Sequence, residues 1–106
     1  MAITKAQARK VRQPVLTQEV LSTPDMGVGA VLDLELSSVC TEITASSPGA
    51  LAASVSFSID GVNFYGSMSV PAGGVNTYGN TGSSNLVKIV RVTHTGGTGK
   101  LVIAGY

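Results

Sequence analysis

The alternation of apolar and polar residues from Leu51 to Val70 is the feature that most constrains the fold of this chain. On both sides of the dipeptide Asp60-Gly61, apolar residues or glycine occupy every second position. A period of two places one set of side chains on a buried strand face and the other set in solvent. Asp-Gly between two such runs is typical of a tight β-hairpin, because glycine accepts a positive φ. The sequence therefore predicts an antiparallel hairpin at its centre.

The rest of the chain continues this pattern and predicts an all-β fold. Strand candidates are separated by turns rich in Gly, Pro and Ser, and they comprise residues 15–22, 28–37, 39–45, the hairpin 51–70, 75–78, 85–95 and 100–106. About seven or eight strands with this spacing indicate a single antiparallel β-sandwich, jelly-roll-like in type. Immunoglobulin-like connections produce the same signals, so the strand order stays open. One sandwich domain over residues 15–106 is expected, preceded by an extended arm over residues 1–14.

Charge is unevenly divided between the arm and the domain. The arm holds four cations before the first acid of the chain, namely Lys5, Arg9, Lys10 and Arg12. The remainder holds three cations and six acids, which gives it a net charge of −3. Such an arm is suited to an acidic protein surface, whereas four cations without interleaved aromatic residues disfavour nucleic acid as a partner.

The last two strand candidates are apolar on both faces. Within residues 85–95, Val87 and Ile89 lie on one phase of the strand. Val90 and Val92 lie on the other, which indicates either two covered faces or a bulge after Ile89. An isolated sandwich would expose one of these faces, so we expect copies of the chain to cover it in a symmetric homo-oligomer. The candidate interface residues are Val90, Val92, Val102 and Ala104.

Residues suited to catalysis or metal binding are scarce. Cys40 and His94 are the only residues of their types, so neither an intrachain disulfide nor an ordinary zinc site can form. Cys40 is expected to be a small buried hydrophobe and His94 a polar residue near a strand end. Asp60 and Asn63 are too few for calcium and are expected to hydrogen-bond their own turn. We therefore expect a protein that is not an enzyme and has no cofactor.

Aromatic side chains are sparse as well. Phe57 and Phe64 fall on the inward phase of the hairpin, which leaves Tyr65 as its main outward aromatic residue. Sugar-binding modules typically present several exposed rings. A carbohydrate-binding or host-adhesion module is nevertheless an alternative function, and its glycan site would comprise Tyr65 and Tyr78, with Asn63 and Asn76.

A family resemblance covers roughly residues 28–105. From Val55 to Phe64 a strand runs into an Asp-Gly-x-Asn-aromatic turn, and Val87 to Thr93 forms a later strand before a Gly-Gly-Thr-Gly turn. This arrangement resembles small jelly-roll modules of tailed-bacteriophage virion proteins, including head decoration or cement proteins. It is also similar to discoidin-like and other carbohydrate-binding sandwiches.

The resemblance to virion proteins implies a structural role. A protein of this type would decorate and cement the phage head as a homotrimer, with its arm on the major capsid protein. It would be assembled in the host cytoplasm and reside in the virion. A tail or neck component is a second structural alternative. The chain lacks a signal-peptide core and any apolar run of membrane length, so no membrane partner is expected.

Overall fold

The computed structural model describes residues 19–79 and 86–106. Within these ranges the chain forms eight β-strands and no helix, which confirms the predicted all-β fold. The strands are β1 (Glu19–Ser22), β2 (Val31–Cys40), β3 (Glu42–Ser46), β4 (Ala52–Ser58), β5 (Phe64–Val70), β6 (Val75–Gly79), β7 (Val87–Gly96) and β8 (Val102–Gly105). The described residues accordingly contain no helix that could cross a membrane. The predicted arm over residues 1–14 lies outside them.

Two four-stranded antiparallel sheets face each other. The first has the strand order β1-β8-β3-β6 and the second the order β2-β7-β4-β5. Six of the seven connections pass from one sheet to the other, and only β4 and β5 are consecutive strands of the same sheet. This interlocking of two Greek keys is the jelly-roll arrangement. The strand order is therefore that of a jelly roll and not the immunoglobulin-like order that the sequence had left open.

The predicted central hairpin is present as β4 and β5, but its loop is wider than a two-residue turn. Ser58 pairs with Phe64, so the loop extends over residues 59–63. The carboxylate of Asp60 accepts hydrogen bonds from the backbone amides of Val62 (2.8 Å) and Asn63 (2.9 Å) and from the Asn63 side chain (2.9 Å). These bonds confirm that Asp60 and Asn63 stabilise their own turn. They also draw Val62 out of the strand in which the apolar alternation placed it.

The hydrophobic core lies between the inner faces of the two sheets. Its central side chains have no exposed surface and include Leu36, Ile43, Leu51, Val55, Phe57, Leu101 and Ile103. The ring of Phe57 stacks on that of Tyr78 from the opposite sheet, with centroids 4.0 Å apart and planes inclined by 20°. Burying one such side chain contributes roughly 1.5–3 kcal/mol, so this layer is the main source of stability.

The double apolar pattern of β7 results from an irregularity. Val87, Val90 and Val92 are all fully buried, although Val87 is on the opposite phase from the other two in a regular strand. The pairing of β2 with β7 shifts register between Glu35 and Cys40, opposite this point of β7. A bulge was one of the two predicted explanations, and the change of phase falls slightly earlier than expected, between Val87 and Val90.

The predicted strand over residues 39–45 is in fact two strands. The chain leaves the second sheet after Cys40 and enters the first at Glu42, so the inward phase resets at Thr41. Cys40 is 3% exposed, which confirms that it is a buried small hydrophobe. Burial raises the pKa of its thiol and thereby favours the protonated form.

The two open sides of the sandwich are each bridged by a side chain. On one side, a carboxylate oxygen of Glu19 in β1 accepts a hydrogen bond from the amide of Ser37 in β2, at 2.7 Å. On the other, the Asn76 amide group donates to the carbonyl of Ser69 (3.0 Å) and accepts from the amide of Thr77 (2.9 Å). Because free backbone groups at sheet edges attract foreign strands, these contacts disfavour edge-to-edge association.

Gly97 is expected to be essential for the turn between β7 and β8. An added Cβ would lie 1.9 Å from the carbonyl oxygen of Ala50, and the residue has φ +64°. Gly97→Ala should reduce the free energy of unfolding by about 3 kcal/mol or more, because both backbones must move. Gly29 has φ +79° with nothing within 4 Å, so Gly29→Ala should cost only about 1–2 kcal/mol. Urea unfolding measures both, and equal losses would contradict the proposed clash.

Candidate functional site

The outer surface of the first sheet is uncharged over its centre. Strand pairing aligns two rows of side chains across all four strands, which together comprise Val20, Ala104, Thr44, Thr77, Ser22, Val102, Ser46 and Val75. We refer to these eight residues as the neutral face. Val20 is 58% exposed and Val75 is 64% exposed. These eight residues are therefore mostly β-branched or hydroxyl-bearing, and none of them is ionisable.

The second sheet has a charged outer surface whose ionic groups are paired. Arg91 donates two hydrogen bonds to the carboxylate of Asp33, from Nε at 2.8 Å and from Nη2 at 3.1 Å. Its guanidinium also lies 3.9 Å from the ring centroid of Phe64. The Arg91 hydrogen bond lowers the pKa of Asp33. Lys88 reaches Glu35 at 3.4 Å, so the two ion pairs of this surface connect β2 with β7.

The predicted inward position of Phe64 is wrong. The pairing of β4 with β5 shifts register between Val55 and Phe57, and Gly66 supplies the positive φ of +64° in the irregular stretch. Phe64 consequently pairs with Ser58 and lies on the outer surface beneath Arg91. A one-residue shift moves a side chain to the opposite face of a sheet, and the apolar alternation alone did not contain this shift.

Of the residues proposed for a glycan site, Tyr65 and Tyr78 lie near each other, whereas Asn63 and Asn76 lie towards opposite ends of β5. The Tyr78 ring stacks on Phe57, and the Tyr65 hydroxyl donates to the backbone carbonyl of Leu86. Burial raises the pKa of Tyr65, and the nearby Tyr78 adds a smaller effect. Asn63 binds Asp60, and Asn76 bridges β5 and β6. Glycan contact at Tyr65 and Tyr78 stays a prediction.

The four candidate interface residues divide between the core and the surface. Val90 and Val92 are fully buried because they face the first sheet, so they are not available to a second copy in this fold. The prediction that Val90 and Val92 lie at an interface between copies is therefore wrong for this fold. Val102 and Ala104 are partly exposed and lie at the centre of the neutral face. The arm residues Lys5, Arg9, Lys10 and Arg12 lie outside the described residues.

The described ranges offer no concave site for a small ligand. His94 lies near the end of β7, and its Nε2 is 2.6 Å from the carbonyl oxygen of Gly97. Residues 19–79 and 86–106 contain no group of three or more His, Cys, Asp or Glu side chains placed to hold a metal ion, and no pocket. Comparisons with known protein families, curated proteins and solved structures find no match to this chain. The neutral face is thus the best-defined candidate site.

The loop around Asp60 makes stability depend on acid pH. Hydrogen bonds from the amides of Asn63 and Val62 hold the pKa of Asp60 well below its ordinary value of about 3.9. The ionised form therefore stabilises the fold above that value, and the contribution is lost as pH falls towards the lowered pKa.

The free energy of unfolding of Asp60→Asn should fall less than that of the unmodified protein between pH 5 and pH 2, measured by urea unfolding. Asp25→Asn, an exposed control outside the loop, should keep the original pH dependence. Identical pH profiles for all three proteins would contradict this role of Asp60.

Proposed function

We propose that this protein is a structural virion component that decorates and cements the head of a phage-like particle. The observation that carries the proposal is the neutral face, an exposed and uncharged surface on a domain whose opposite face pairs its ionic groups. The resemblance of Val55–Phe64 to virion modules indicates that the assembly would be a phage-like particle. The function requires attachment surfaces and no catalytic group.

Copies of the chain are the proposed occupants of the neutral face, with Val102 and Ala104 at the contact. A face without ionisable groups can be covered by a neighbouring copy without burying an unpaired charge of its own. Strand spacing and rise give the face dimensions of about 19 by 15 Å, roughly 300 Å² in projection. A stable interface buries about 800 Å² per partner, so one such contact is weak by itself. A closed trimer, further held by its attachment to a shell, overcomes this weakness through multiple contacts.

The arm is proposed to bind the major capsid protein. Its four cations, Lys5, Arg9, Lys10 and Arg12, precede a domain of net charge −3. Charge of this sign and density favours an acidic protein surface, and many copies on one shell make modest individual contacts sufficient. The arm precedes Glu19, the first residue of β1, which is an edge strand of the neutral face.

A charge on the neutral face should disrupt the trimer. Val20→Lys places an ammonium group where copies meet, and we expect the main species to change from trimer to monomer in native mass spectrometry and light scattering. Val31 is a matched control, because it is 54% exposed but lies on the outer surface of the second sheet. Val31→Lys should remain trimeric. A monomeric unmodified protein at micromolar concentration would refute the trimer, and a larger ring would favour the tail or neck alternative.

Removal of residues 1–12 should abolish binding to heads that were assembled without the protein. Thermal unfolding should be nearly unchanged, because all eight described strands lie at Glu19 or beyond it. A full-length control with Lys5, Arg9, Lys10 and Arg12 replaced by Ser separates the effect of charge from that of length. It should bind at least tenfold more weakly, with a reduced dependence on salt. Saturation of the heads by the truncated protein would show that the arm is not the attachment element.

A further inference from the structure

Exposed apolar side chains are concentrated at one end of the sandwich. Of the nine large apolar residues that are exposed in the described ranges, five lie there. We refer to these five as the apolar rim, which consists of Val39, Leu86, Ile59, Val62 and Tyr65. Single exposed apolar residues are ordinary on protein surfaces, whereas a contiguous group marks a contact site.

The topology makes the rim continuous. Strands β2 and β4 end at this edge of the second sheet, while β5 and β7 begin there, because Cys40 pairs with Val87 and Ser58 with Phe64. Following the strand order β2-β7-β4-β5, each strand or its adjoining loop contributes at least one rim residue. The Tyr65 hydroxyl bonds to the carbonyl of Leu86, which brings two members into direct contact.

The arm joins the domain at the same end. Glu19, the first residue of β1, pairs with Gly105 and accepts a hydrogen bond from the amide of Ser37. Ser37 is two positions before Val39 in β2, so the chain enters the described domain beside one end of the rim. The 18 residues before Glu19 can span up to about 60 Å when extended, so arm and rim can reach one partner surface.

We propose that the apolar rim docks onto the same protein surface that the arm binds, so that this end of the sandwich faces the shell. The inference rests on the proposed function and adds the chemistry of the partner, an apolar patch bordered by acidic groups. Apolar contact at the centre with charge at the border is the usual composition of a protein interface. The end that carries Val28 and the turn at Gly97 then points away from the shell.

The charges near the rim favour this partner over a second copy. The Asp60 carboxylate is held by its own loop, and Lys88 is paired with Glu35, so the rim adds little free charge. Two copies that met rim to rim would bring two arms of charge +4 to the same place. Like charges at close range oppose such a pair, whereas an acidic partner surface relieves this repulsion.

The experiment compares Val62→Asp with Val28→Asp on heads assembled without the protein. Val62 is 78% exposed in the rim, and Val28 is 94% exposed at the opposite end, so both variants should fold. Bound copies per head are measured against protein concentration, and native mass spectrometry gives the oligomeric state of each variant. Ile59→Ser provides a second, milder change within the rim.

We expect Val62→Asp to require at least tenfold more protein for half-saturation while it remains trimeric, with a smaller loss for Ile59→Ser. Val28→Asp should bind as the unmodified protein does. Equal binding by Val62→Asp would overturn the docking role of the rim, and loss of the trimer would assign the rim to contacts between copies. Failure of the unmodified protein to bind heads would instead refute the proposed function.

Discussion

Burial of the inner face of each sheet against the other is the interaction on which the rest of this structure depends. Six of the seven connections cross between the sheets, so only β4 and β5 pair with a sequence neighbour and the other six strands pair only with strands distant in the chain. Strand pairing and core packing must therefore form together. The stack of Phe57 in β4 on Tyr78 in β6 ties the hairpin to the edge of the opposite sheet. The chain has a single cysteine, so apolar packing holds the two sheets together without an intrachain disulfide.

The sides of the sandwich direct association toward its faces and ends. Glu19 bridges β1 to β2, and Asn76 bridges β5 to β6, which occupies backbone groups that could otherwise pair with a foreign strand. The outer surface of the second sheet satisfies Asp33 with Arg91 and Glu35 with Lys88. Among the described surfaces, the neutral face and the apolar rim remain as the areas where exposed apolar groups are grouped.

The sequence predicted the sheet content, the central hairpin and the burial of Cys40, because period-two alternation and Asp-Gly are local signals. The predicted assignment of side chains to the inner or outer face was wrong where the strand pairing shifts register. Gly66 lies in the shift that turned Phe64 outward, and an irregularity opposite β7 made both phases of that strand face the core. Val90 and Val102 thus belong to strands with the same doubly apolar pattern for different reasons. In β7 the pattern comes from an irregularity that buries both phases, and in β8 it comes from an exposed apolar face. The neutral face depends on the order β1-β8-β3-β6, which joins residues far apart in the chain and has no local signature.

The two proposed contacts place a geometric condition on each other. The neutral face lies on the outer surface of one sheet and the rim lies at the ends of the strands of the other, so one surface can be covered while the other remains accessible. In a cyclic trimer every copy points the same way along the axis. If the strands run along that axis, three rims and three arms emerge on one side, which forms a basic and apolar base. A twofold dimer with its axis across the strands would send the two arms in opposite directions. Joint attachment of arm and rim to one shell therefore requires cyclic symmetry about an axis near the strand direction.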